Sequence, residues 1–70
     1  MNTKKSRAQK KMDDKLATLS VPHLLGAYAG LYVTETVESM VVRTNVFQEL
    51  IRRFGAVRAD EMTDEIVAGL

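Results

Sequence analysis

The sequence predicts a mainly α-helical protein, a small dimer organised around one long amphipathic helix. Three observations predict it. Val33, Val37, Met40, Val41, Thr44, Phe47, Leu50, Ile51 and Phe54 recur at steps of three and four, which places them on one face of a helix. The chain has 70 residues and no cysteine. It is therefore one domain at most, with no disulfide staple and a core that rarely supplies more than roughly 3–5 kcal/mol. The hydrophobic fraction is 46%, enough to furnish an interface as well as a core, so pairing with a second copy is the expected route to stability.

The long helix is expected over the stretch from Thr34 to Phe54. Glu35, Glu38, Ser39, Arg43, Asn45, Gln48, Glu49, Arg52 and Arg53 fall on its polar side. Thr34 is the expected N-cap, with Glu35 and Glu38 in the first turns where the helix dipole favours acids. Arg52 and Arg53 complement the other end, Glu49 is spaced to pair with Arg53, and Gly55 supplies a left-handed stop. The dimer interface is expected at Val37, Met40, Val41, Phe47, Leu50, Ile51 and Phe54.

The net charge is only +1, but it is unevenly placed. Lys4, Lys5, Arg7, Lys10, Lys11 and Lys15 crowd the start of the chain against Asp13 and Asp14 alone, and acids outnumber bases afterwards. Residues 1–14 thus read as a flexible basic arm and residues 15–70 as a single helical domain. Such an arm is either a solvated tail or a phosphate-binding element whose cations release counterions from nucleic acid. No aromatic residue interleaves with its bases, which disfavours stacking on single strands. The charged start lacks the apolar core of a secretory signal. The longest apolar run, Val21 to Val33, contains Pro22 and His23 and is too short to span a bilayer. With zero cysteine, these features suggest a cytoplasmic protein that makes no membrane contact.

Between the arm and the long helix the pattern is double. Ala8, Met12, Leu16 and Leu19 have helical spacing, whereas Ala17, Leu19 and Val21 alternate with Thr18 and Ser20 as in a short strand. Pro22 either ends an extended segment or opens a helix. From Pro22 to Tyr32, Leu24, Leu25, Tyr28, Leu31 and Tyr32 recur at helical steps. Gly26 and Gly30 form a small-residue face suited to close backbone packing. A turn or kink is expected at Tyr32, Val33 and Thr34. After Gly55, Asp60 is the expected cap of a short final helix that turns Met62, Ile66 and Val67 inward.

Catalytic and metal chemistry find little support. His23 is the sole histidine, and Ser20 three residues before it is better explained as a helix cap than as a nucleophile. One histidine without cysteine cannot make a zinc site. Asp60, Glu61, Asp64 and Glu65 lack the glycine-broken loop of a calcium hand. Gly26 and Gly30 lack the Lys-Ser/Thr of a phosphate loop. No enzyme activity, metal or cofactor is expected.

Arg43-Thr44-Asn45-Val46-Phe47-Gln48-Glu49-Leu50-Ile51-Arg52-Arg53-Phe54 resembles the second helix of ribbon–helix–helix DNA-binding proteins. That helix commonly begins with a basic and a hydroxyl residue, followed by apolar, polar and apolar pairs. Upstream, Ala17-Thr18-Leu19-Ser20-Val21-Pro22 resembles their strand, which ends at a proline. The resemblance spans Ala17 to Phe54. It implies a short N-terminal strand paired with that of a second copy, with Thr18 and Ser20 facing bases and Ala17, Leu19 and Val21 facing the core. It further implies a phosphate contact at Arg43 and Thr44, where the second helix would begin.

The expected role is accordingly DNA binding by a small dimeric accessory or regulatory protein. Its size suits the accessory proteins of phage and plasmid genomes. The nucleic-acid contacts expected are Lys4, Lys5, Arg7, Lys10, Lys11, Lys15, Thr18, Ser20, Arg43 and Thr44. The alternative is a protein-interaction module, an inhibitor or antitoxin-like chain that binds a protein partner through its apolar helical face.

Overall fold

Among the described residues four helices follow one another with short joints, and each begins where a local signal allows it. The computed structural model describes residues 6–70. Ser6 caps α1 (Arg7–Ala17) by accepting from the Gln9 amide at 3.1 Å. Ser20 caps α2 (Val21–Tyr32) by accepting from the His23 amide at 3.3 Å, with Pro22 in the first turn where its missing amide costs nothing. Thr36 caps α3 (Val37–Phe54) through a capping box with Ser39. Gly55 alone separates α3 from α4 (Ala56–Ala68), at φ 87° and ψ 163°, a conformation essentially reserved for glycine.

The structure corrects several expectations. No strand occurs among the described residues. Ala17 ends α1, Leu19 lies in the turn and Val21 begins α2, so the apparent alternation is two helix ends meeting across a tight joint. The Thr18 hydroxyl donates to the Lys15 carbonyl at 2.7 Å and closes that joint locally. A ribbon–helix–helix fold requires the strand, and its absence overturns that reading. Nor is the chain built on one long central helix. α1 to α4 contain 11, 12, 18 and 13 residues, and α3 starts at Val37 rather than just after Thr34.

The core holds Leu16, Leu24, Val46, Leu50, Ala59 and Met62. Leu24, Val46 and Leu50 are its largest fully enclosed side chains. α3 packs against each of the other three helices. α1 runs parallel to the second half of α3: Gln9 meets Asn45 at 2.6 Å, Asp13 lies 3.9 Å from Arg52, and Leu16 and Ala17 meet Arg53. The boundary expected between residues 14 and 15 therefore falls inside a docked helix.

Two smaller expectations also change. Gly26 and Gly30 are exposed, and a Cβ at either would meet nothing within 4 Å, so neither accommodates a close helix crossing within the chain. Asp60 lies inside α4 rather than at its start. Met62 is buried, Ile66 and Val67 are half-buried, and Thr63 is buried with its hydroxyl donating to the Ala59 carbonyl at 3.0 Å.

Candidate functional site

α1 separates its residues by chemistry. Its inner face carries buried Leu16 and half-buried Gln9, Met12 and Asp13. Its outer face carries Arg7, Lys10, Lys11 and Lys15, all exposed. Lys10 pairs with Asp14 at 3.1 Å, both largely in water. Arg7, Lys11 and Lys15 are four residues apart and form a row along the helix. Each like-charged pair at that spacing costs about 0.2–0.5 kcal/mol. Arg7 also sits in a first turn that has no acid to offset it, where a cation opposes the helix dipole. Lys15 suits the C-terminal end of the helix dipole, but none of the three has an ion partner among the described residues, and an anionic surface laid along the row would relieve the repulsion. Lys4 and Lys5 lie outside the described residues.

The other expected nucleic-acid contacts are scattered. Thr18 and Ser20 are exposed, but Thr18 is bonded to Lys15 and Ser20 is engaged by His23, through its amide and through Nδ1 at 2.6 Å. That Ser–His contact belongs to the cap of α2. Thr44 lies within α3 and donates to the Met40 carbonyl at 2.9 Å, so it opens no helix. Arg43 is half-buried in the N-terminal half of α3, with its guanidinium carbon 5.0 Å from the Tyr32 ring centre. Among the described residues, only Arg7, Lys10, Lys11 and Lys15 of the expected contacts share one surface.

α1 is held to α3 by a charged clamp that the sequence only half reveals. Glu49 is buried, with 4% of its surface exposed. Its carboxylate accepts from Arg52 at 3.1 and 2.8 Å and from Arg53 at 2.7 Å. Arg53 in turn donates to the Leu16 and Ala17 carbonyls at 3.0 and 3.2 Å, satisfying the C-terminal end of α1. Burial pushes the Glu49 carboxyl up, but the hydrogen bonds from Arg53 and Arg52 and their charges outweigh it and hold the group below the usual carboxylate range. The Glu49–Arg53 spacing is visible in the sequence. The carbonyl contacts to α1 connect positions 36 and 37 residues apart and leave no local signal.

No family model, curated protein or solved structure matches this chain.

The expected dimer interface divides in two. Leu50 is fully buried in the chain's own core, and Phe47 and Ile51 are half-buried against it. Val37, Met40, Val41 and Phe54 stay exposed at 74%, 53%, 53% and 43%. Tyr32 and Val33, at the end of α2, extend the apolar surface beside Val37 and Met40. Among the described residues no three metal-ligating side chains gather, and no helix is long and apolar enough to cross a membrane.

Proposed function

We propose that this chain is a small DNA-binding accessory or regulatory protein that holds the phosphate backbone along the outer face of α1. The observation that carries the reading is the row Arg7, Lys11 and Lys15, joined by Lys10. It stands on a helix fixed to the body by its opposite face. Cations placed this way neutralise phosphates and release counterions without reading sequence. The Thr18 and Ser20 hydroxyls are spent on local bonds, so the phosphate contacts supply the affinity and base readout is not part of the proposal.

The test is duplex binding followed by fluorescence anisotropy across a salt series. Replacing Arg7, Lys11 and Lys15 with Gln should flatten the dependence of log affinity on log salt by about 0.9 for each phosphate no longer neutralised. Helicity should be retained, because all three side chains lie in water. An unchanged slope in the triple variant, or no binding by the intact chain at low salt, would refute the reading. The alternative of a protein-interaction module draws on the apolar corner at the end of α2 instead. That corner is untouched in the triple variant.

A further inference from the structure

α3 carries two apolar rows. Val42, Val46 and Leu50 form the inner one and close the core. Val37, Met40, Thr44, Phe47, Ile51 and Phe54 form the outer one, at alternating steps of three and four, the spacing of a helix seam. The chain's own packing covers the middle of that seam, where Phe47 and Ile51 are half-buried, but not its N-terminal end. There Val37, Met40 and Val41 join Tyr32, 42% exposed, and Val33, 64% exposed.

This corner surrounds an open cavity of about 460 Å³ lined in part by Tyr32, Glu35, Val37, Met40 and Arg43. Two opposite charges therefore face one hollow. Yet neither Glu35 nor Arg43 has an ion partner among the described residues. Arg43 instead rests its guanidinium on the Tyr32 ring.

We infer that a second copy of this chain docks on the corner, so that Glu35 of each copy faces Arg43 of the other across the apolar centre. Three features select this occupant. The patch is self-complementary, with an acid and a base beside the same apolar ground, as a two-fold contact requires. Five exposed side chains in each of two copies make a contact on the order of 1,000 Å², about the threshold for a specific association. The seam spacing continues without a break from the half-covered Phe47 and Ile51 to the open Val37 and Met40. A different protein would have to supply the matching acid and base itself.

The experiment is sedimentation of the full chain without DNA, which keeps it independent of the phosphate-binding proposal. The intact chain should be dimeric at micromolar concentration. Val37→Asp should make it monomeric with unchanged helicity, because that residue is the first of α3, where an acid suits the helix dipole. Glu35→Arg and Arg43→Glu should each weaken the dimer by roughly tenfold or more, since like charges would then face across the contact. The double reversal should restore it. A monomeric intact chain, a dimer indifferent to Val37→Asp, or a double reversal no better than the singles would each overturn the inference.

Discussion

Glu49→Gln is the most informative single change. The substitution keeps the shape of the side chain and removes its charge, leaving the Arg52 and Arg53 guanidinium groups facing a neutral amide. Removing one partner of a fully buried ion pair costs about 3–5 kcal/mol. Here Arg52 is 43% exposed and Arg53 23% exposed, so water recovers part of the loss and about 2 kcal/mol is expected. For a domain of this size that lowers the melting temperature by roughly 8–16 °C. The penalty should also depend on pH. Glu49 is held below the usual carboxylate range, so its contribution is complete above the ordinary carboxylate value of about 4.3. It is lost as pH falls through the lowered one. Thermal melts followed by circular dichroism at neutral and strongly acidic pH would show the variant falling behind at the first and converging with the parent at the second. A variant as stable as the parent at neutral pH would refute the clamp. So would a penalty that does not shrink in acid.

Four further outcomes follow from the packing, the caps and the glycines. Leu50→Ala, at a fully buried position, should cost about 2–5 kcal/mol and more than Phe47→Ala, in urea titrations of both. Thr36→Ala should lower stability by about 1 kcal/mol, because it removes the capping box, whereas Thr34→Ala should cost less in the same melts. Gly26→Ala and Gly30→Ala should each stabilise the fold by roughly 0.5–1 kcal/mol, since both occupy exposed positions inside α2 with open space at Cβ. Gly55→Ala should destabilise it, because φ there is 87°.

Features encoded over a few residues are legible in the sequence, and features that depend on neighbours are not. The stop at Gly55, the turn near Val33 and the Glu49–Arg53 pair all follow from short spacings. The sequence places the start of α3 two residues early because Thr34 and Thr36 are both good caps. The reciprocal bonds between Thr36 and Ser39 decide between them, while the Thr34 hydroxyl donates back to the Gly30 carbonyl at 2.9 Å and so belongs to the end of α2. The apolar residues of α3 read as a single face but form two, and periodicity does not say which one the chain covers. Fully buried Val46 escapes the pattern for that reason, and Glu49 reads as a surface acid although it is enclosed. The strand signal at Ala17, Leu19 and Val21 fails because alternation over so few residues also arises where two helices meet. The basic cluster is visible from composition, but its arrangement as a row on a docked helix depends on Arg53 reaching Leu16 and Ala17.

The one-residue joint at Gly55 fixes the rotational phase of everything after it. With no loop to absorb a change of length, inserting a single residue after Gly55 would turn α4 by about 100° about its own axis. Ala59 and Thr63 would leave the core, Met62 would slide into the place of Thr63, and the charged Arg58 and Glu61 would be driven into the places of Ala59 and Met62. A longer linker would instead let α4 keep its docking while it drifted in angle. The joint therefore couples the two helices as a crank couples two shafts. Any push that rotates α4 must be passed to α3, and with it to the clamp on α1 and the seam that begins at Val37.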